Sequence, residues 1–330
     1  MADEFKCFLV SKTGEQVAGS ISRCPVSELP AGDVLVRVRY SSLNYKDALA
    51  ATGNPGVARK FPHIPGIDSA GVVAESASAE FPVGAEVVVT GHELGVERWG
   101  GWAEYVRVPA EWVVKRPHNL TLEESMILGT AGFTAAQCLL AVRTHGVRPP
   151  DGDIVVTGAT GGVGSIAVRL FSGQGYRVVA VSGKADRKAW LLEQGAAEVV
   201  DRSALADTSN RPLLSARWAG AVDTVGGQTL ANVIRATKHR GCVAACGVVG
   251  GAELPLTVFP FILRGVTLAG IDSAWCPDDR RRVIWELLSS TWKPKDLASL
   301  AEFIELDEVG TVVPKILAGQ ITGRTVVRVS

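Results

Sequence analysis

The densest chemistry-bearing spacing in the chain is Val155-Val156-Thr157-Gly158-Ala159-Thr160-Gly161-Gly162-Val163-Gly164-Ser165. An apolar run from Ile154 to Thr157 ends abruptly in glycines at 158, 161 and 164. A helical pattern starts at once, with Val163, Ile166, Ala167, Leu170 and Phe171 at steps of three and four. Strand, glycine turn and helix form the geometry of a dinucleotide phosphate site. The glycines allow the tight turn, backbone N–H groups approach the pyrophosphate, and negative charge rests at the positive end of the helix. Thr160, Gly161, Gly162 and Val163 are the residues this reading sets around the phosphates. The spacing is G-x-x-G-x-x-G and not G-x-G-x-x-G, so a tight turn without a ligand is the bland alternative.

The strand after that helix, Arg177–Val181, ends in Ser182-Gly183-Lys184. Sites for unphosphorylated dinucleotides place Asp or Glu there to accept from the ribose 2′-OH. Here a hydroxyl and an ammonium stand instead, which suit a 2′-phosphate. Arg202, after the third strand, adds a second cation. The cofactor expected is NADPH; a solvated surface loop is the alternative.

Two earlier segments carry polar groups at strand ends. Ser41-Ser42-Leu43-Asn44-Tyr45-Lys46-Asp47-Ala48-Leu49 opens a short helix, where Tyr45 is either a ligand-facing hydroxyl or a half-buried aromatic. Phe61-Pro62-His63-Ile64-Pro65-Gly66-Ile67-Asp68 reads as a fixed bend entering a strand. Asp68 orients cleft groups or anchors the turn, and the anchor is the favoured reading. At the end of the fourth nucleotide-domain strand, Asp223 has the same two readings, cleft group or turn chemistry. Arg280-Arg281-Arg282 is the densest charge cluster, with a solvated helix face as its default and contact with coenzyme A phosphates as the sharper option.

The elements that must position these groups fall into two styles. Residues 1 to about 120 show short period-2 runs at Phe5–Val10, Val34–Tyr40, Gly71–Ala74, Ala85–Thr90 and Ala103–Val108, separated by turns, which predicts a mostly β domain. Thr121-Leu122-Glu123-Glu124 is a capping box opening a linking helix, in which Gly129 and Gly132 make sense if another backbone or the cofactor approaches closely. From 153 onward strands alternate with helices: Asp153–Thr157, Arg177–Val181, Glu198–Val200, Gly220–Thr224, Gly241–Cys246 and Thr267–Gly270, a doubly wound parallel sheet. In the tail, Leu297–Ile304 and Val312–Ala318 read as short helices and Thr325–Val329 as a strand.

At 330 residues, two domains are expected. With Lys+Arg and Asp+Glu at 34 each, no basic excess points to nucleic acid or a membrane surface. Met1-Ala2-Asp3-Glu4-Phe5-Lys6 has no apolar signal segment. Six cysteines without a C-x-x-C pair read as buried, reduced thiols of a cytoplasmic protein. Five histidines show no i, i+4 pairing.

Asn44-Tyr45-Lys46-Asp47, Ile64-Pro65-Gly66-Ile67-Asp68, Trp99-Gly100-Gly101-Trp102-Ala103-Glu104 and Leu128-Gly129-Thr130-Ala131-Gly132-Phe133-Thr134-Ala135, matching in order, resemble the medium-chain dehydrogenase/reductase superfamily. Within it the chain is most similar to the zinc-free acrylyl-CoA reductases, the YhdH-type quinone oxidoreductases. The resemblance implies an α/β protein: a GroES-like mostly β catalytic domain plus a Rossmann doubly wound parallel sheet. The implied domains are 1–124, 125–290 and a return segment, 291–330, that completes the first.

The resemblance also implies roles. Tyr45, with Asn44 and Lys46 in support, positions or protonates the substrate. Tyr45 and Thr130 face the cofactor. Backbone groups at Cys246-Gly247 and at Ile271 and Ser273 hold the nicotinamide carboxamide. Arg324, in Gly323-Arg324-Thr325, closes over the cofactor or is a surface arginine. Zinc-dependent relatives carry Cys at the place of Asn44 and Gly-His-Glu at the place of Gly66-Ile67-Asp68, and these residues cannot rebuild that site. Gly91-His92-Glu93 lies about one strand too late, so no metal is expected.

The implied reaction is hydride transfer from NADPH to the double bond of an α,β-unsaturated acyl-CoA, acryloyl-CoA giving propanoyl-CoA. An NADPH:quinone oxidoreductase and a non-catalytic NADPH-binding protein are the alternatives. A homodimer is the implied assembly.

Overall fold

The computed structural model describes residues 3–209 and 211–330. They fall into two compact units. One runs to Thr130 and adds Ala274–Ser290 and Lys295–Ser330; the other takes Ala131–Ser273 and Thr291–Pro294.

The first unit opens with a hairpin of β1 (Glu4–Thr13) and β2 (Gln16–Pro25). β1 buries Phe5 and Cys7 in alternation and then Phe8 and Val10, so its period of two changes phase at Phe8. β2 was not expected: QVAGSISRCP is mostly exposed and has no sustained apolar alternation to announce it. β3 (Val34–Leu43) is the spine of the main sheet, followed by α1 (Tyr45–Ala51), β4 (Asp68–Ser76), β5 (Glu86–Thr90), β6 (Tyr105–Val108) and β7 (Val113–Lys115). α2 (Leu122–Thr144) starts on the expected capping box: Thr121 Oγ1 accepts from the Glu124 N–H at 3.0 Å, and the Glu124 carboxylate accepts from the Thr121 N–H at 3.0 Å. α2 is long and apolar enough to cross a membrane, but 89% of its apolar window is buried inside the fold, as in a core helix.

The second unit contains β8 (Ile154–Val156), α3 (Gly162–Gly173), β9 (Val178–Val181), α4 (Lys188–Glu193), β10 (Glu198–Val200), β11 (Trp218–Asp223), α5 (Gly227–Arg235), β12 (Thr237–Ala245), α6 (Phe259–Arg264) and β13 (Thr267–Gly270). The strands are all parallel in the order β10-β9-β8-β11-β12-β13. That is the 3-2-1-4-5-6 order of a dinucleotide-binding fold, and the direction in which strands are added to the sheet switches between β8 and β11 while all of them stay parallel. β8 is buried throughout, which is why it reads as an unbroken apolar run.

The tail differs from its reading in two places. α7 (Asp278–Ser289) goes with the first unit, although the sequence reading put it in the second. The reason is Arg281. It was read as part of a solvated face, yet it is 1% exposed and donates to the Thr90 carbonyl (2.9 Å), Thr90 Oγ1 (3.2 Å) and the Ala274 carbonyl (3.0 Å). Arg280 and Arg282 are exposed as expected. Leu297–Ile304 is not a helix: a single 3-10 turn leads into β14 (Ala301–Glu305). α8 (Val309–Leu317) and β15 (Arg324–Arg328) follow. β15 pairs parallel with β14 and antiparallel with β3, so the tail completes the sheet β14-β15-β3-β4-β5-β7, with β6 also on β3.

Candidate active site

In the first unit, the polar residues at the ends of β3 and β4 converge on one carboxylate. Asp68 accepts from Ser42 Oγ at 2.5 Å, Asn44 Nδ2 at 2.8 Å, the Thr130 N–H at 3.0 Å and Thr130 Oγ1 at 2.6 Å. An Arg324 guanidinium nitrogen lies 3.9 Å away. A second buried carboxylate, Asp47, accepts from the N–H groups of Asn44 (2.8 Å), Gly66 (3.1 Å) and Ile67 (2.8 Å), and so ties the start of α1 to the bend before β4. Burial, then the neighbouring Asp68, pushes Asp47 up to about 7, while those N–H donors pull it back.

The bend at Gly129 makes this cluster possible. Its φ of +46° breaks α2 and presents the Thr130 N–H to Asp68 instead of to the preceding turn. A Cβ there would stand 2.5 Å from Asp68 Oδ2. The group that approaches this glycine is the Asp68 side chain, where another backbone or the cofactor is the sequence-based expectation.

Three readings change here. Asp68 is the hub of the cluster and not a turn anchor. Arg324 is neither at the surface nor turned outward: it is 2% exposed, donates to the Ile127 carbonyl at 2.9 Å and to Asn44 Oδ1 at 3.1 Å, and faces Asp68. Burial pulls its guanidinium down; Asp68 and Asp47 act the other way. Asn44 has both amide atoms spent on protein partners, so it positions and does not reach a substrate. Tyr45, the first residue of α1, is 40% exposed, and Lys46 is exposed. These two are the side chains of the motif left available.

The residues do not fit a zinc ion. Asp68 is already surrounded by an arginine, an amide and hydroxyls, and among the described residues no group of three or more His, Cys, Asp or Glu could hold a metal. His92 has another role. It adopts φ +54°, its N–H donates to the Ala274 carbonyl, and its ring stacks on Trp112 at 5.0 Å and 3°. Its buried Nε2 has no hydrogen-bond partner, and burial, then Arg281, lowers it to about 4.

In the second unit, the glycine turn forms the expected cradle. Gly161 is the N-cap of α3, with Gly162 and Val163 in its first turn. A Cβ at Gly164 would come 2.3 Å from the Gly158 carbonyl, so helix and turn pack as closely as a phosphate site requires. Thr160 Oγ1 lies 3.4 Å from Ser182 Oγ, which accepts from the Lys184 N–H at 3.0 Å. The Arg202 side chain lies over Gly183, 3.3 Å from where a Cβ would be. Burial, then Arg187, lowers the Lys184 ammonium. Thr160, Ser182, Gly183, Lys184 and Arg202 are thus brought together beside the turn, with no carboxylate ending β9. The donor set and the cradle fit a phosphorylated dinucleotide.

At the neighbouring strand ends, Asp223 accepts from Thr157 Oγ1 and the Gly226 N–H, both at 2.7 Å, so it ties β8 to β11 and is turn chemistry. The Cys246 and Ile271 N–H groups are spent on Asp223 and Ala245 carbonyls, so these residues offer carbonyl acceptors only. Gly247 packs against the Thr224 carbonyl, and Ser273 closes the unit's main segment.

Sequence reasoning missed Ser42 and undervalued Asp47, Asp68 and Gly129. A glycine inside an apolar helix was the one available signal for the last.

The sequence and structure are similar to known proteins along their whole length. A family model described as an alcohol dehydrogenase GroES-like domain matches residues 30–118, and one described as a zinc-binding dehydrogenase matches 162–290. The acrylyl-CoA reductase AcuI of Ruegeria pomeroyi is 40% identical, over 99% of this chain and 99% of that protein. The crystal structure of Escherichia coli K-12 YhdH with bound NADPH is 47% identical, with TM-score 0.95 over 98% of this chain and 100% of that one. Bacillus subtilis YhfP, which carries the name of a quinone oxidoreductase, has a structure with NAD bound; it is 42% identical, with TM-score 0.96 over 99% of this chain and 100% of that one.

Proposed function

Because the chain belongs to the medium-chain dehydrogenase/reductase family, we propose that it is an NADPH-dependent reductase of the carbon–carbon double bond of an α,β-unsaturated acyl-CoA, turning acryloyl-CoA into propanoyl-CoA. The observation that carries this reading is the pairing of two features. Ser182, Lys184 and Arg202 are donors for a 2′-phosphate, and the Asp68 cluster lacks the ligands of a metal that would stabilise an alkoxide. The name of the Ruegeria relative points to the same reaction, and the Escherichia structure to the same cofactor.

Bound NADPH supplies the hydride. Thr160 to Val163 hold its pyrophosphate against the N-terminus of α3, and Ser182, Lys184 and Arg202 hold the 2′-phosphate. An α,β-unsaturated thioester accepts hydride at its electron-poor β-carbon, which leaves an enolate to be stabilised and protonated at the α-carbon. Tyr45 Oη is the donor on the first unit, and the exposed Lys46 adds positive charge. Asn44, Asp47, Asp68 and Arg324 do not touch substrate; they lock the start of α1, and with it Tyr45, in place.

A quinone reductase is the second reading, favoured by the name of the Bacillus relative. A steady-state panel of NADPH oxidation with acryloyl-CoA, longer enoyl-CoAs and small quinones separates the two. Acryloyl-CoA is expected to give the highest kcat/KM, and Tyr45→Phe to lower its kcat by about 10–100-fold. Higher kcat/KM on quinones would install the second reading. For the homodimer, exposed apolar side chains are at hand in Val248, Val249, Val258, Phe259, Ile262 and Leu263. A pure monomer in sedimentation equilibrium would contradict it.

A further inference from the structure

Among the six free cysteines Cys138 and Cys246 interact in the second unit, and Cys7 and Cys24 touch in the first. Cys7 Sγ on β1 and Cys24 Sγ on β2 are 3.6 Å apart and seventeen positions apart in sequence. The hairpin register explains the contact. Cys7 stands opposite Ser22 and Cys24 opposite Phe5, so the two thiols are diagonal neighbours on one face. Both are buried in the core of the first unit, at 0% and 4% exposure. A disulfide needs the sulfurs at about 2.05 Å, so the pair must close from 3.6 Å, and diagonal neighbours, about 7–8 Å apart at the backbone, close only when the hairpin shifts locally.

We infer that Cys7 and Cys24 are a redox-modification site, which a small disulfide such as oxidised glutathione converts to an intramolecular disulfide across the hairpin. The two thiols are not equivalent. Burial raises both, but the contact between them raises Cys7 and lowers Cys24. Cys24, at 4% exposure against 0% for Cys7, is the sulfur an oxidant reaches first and acts as the nucleophile. The Cys24 thiolate attacks one sulfur of the oxidant, forming a mixed disulfide and releasing one small thiolate, which takes up the proton Cys24 gave up. The Cys7 sulfur then attacks the Cys24 sulfur and displaces the second small thiol, which leaves with the Cys7 proton. Two protein thiols lose two hydrogens, and the oxidant becomes two thiols. Because both sulfurs are shielded, the reaction waits on opening of the hairpin end and is slow.

The test uses the full-length protein. Reduced protein is equilibrated with oxidised glutathione, free thiols are blocked, and unreduced peptides are mapped by mass spectrometry. The expected first intramolecular disulfide joins Cys7 to Cys24 and raises the thermal midpoint by about 5–10 °C, because it closes a loop in the unfolded chain. Cys7→Ala is expected to trap glutathione on Cys24, while Cys24→Ala leaves Cys7 unmodified. The inference is overturned if Cys246, the one cysteine that is not fully buried, is oxidised while the pair stays reduced. It is also overturned if the hairpin disulfide never forms under a poise that oxidises the denatured chain.

Discussion

The Asp68 cluster and the Ser182–Lys184 loop are both rich in polar atoms, but they spend them in opposite ways. Around Asp68 nearly every donor meets an acceptor of the same chain: Ser42, Asn44, Thr130 and Arg324 all turn inward, and the carboxylate is fully buried. Beside the glycine turn cations gather instead: Lys184 is half-buried, and Arg202 is exposed with its side chain over Gly183. A motif matched in sequence can therefore be scaffold or contact surface. Burial tells them apart: a fully buried polar group holds a shape, and an exposed one is open to a ligand.

The sharpest way to break that comparison is at its closed end. Asp68→Ala strands a buried arginine, so stability to denaturant is expected to fall by about 3–5 kcal/mol. A loss below about 1 kcal/mol would show that the cluster is not the tie described here.

Next in size is a pH effect in the same unit. His92 is held near pKa 4 in the folded chain against an ordinary 6.5. Between those values the unfolded chain takes up a proton that the folded chain refuses. Stability is therefore complete above about 6.5, falls as pH drops toward about 4, and loses up to about 3 kcal/mol over that window. His92→Phe keeps the stack on Trp112 and removes the titration. Denaturation midpoints for this variant should lose that part of the acid slope, and an unchanged slope would assign it elsewhere.

At the open end the effect is smaller and falls on binding. Lys184→Ala and Arg202→Ala are each expected to raise the KM for NADPH by about 10–100-fold, to leave the KM for NADH nearly unchanged, and to alter stability by no more than about 0.5 kcal/mol. Equal losses with both cofactors would mean that these cations do not read the 2′-phosphate.

The same contrast explains what could be read from the sequence. The six parallel strands, the glycine turn and the Thr121–Glu124 capping box are local patterns with fixed spacing, and each appears where periodicity puts it. Thr160, Ser182, Lys184 and Arg202 lie together beside that turn because the ends of neighbouring strands meet there, which the strand pattern makes legible. The closed cluster was not legible. Asp68 is joined to Thr130 across sixty-two positions and Arg324 to Asn44 across two hundred and eighty, and no local window reports such pairings. Arg281 failed for the same reason, since its partner Thr90 lies one hundred and ninety-one positions away. β2 and β14 were missed because exposed edge strands bury too little to show an alternation.

The most direct measurement of the account follows the hydride itself. Enzyme treated with a metal chelator is given acryloyl-CoA and NADPH carrying deuterium at the transferable C4 position, and the propanoyl-CoA is analysed by mass spectrometry. The account predicts undiminished turnover with one deuterium on the β-carbon. Unlabelled product, or product that forms only after zinc is restored, would contradict it.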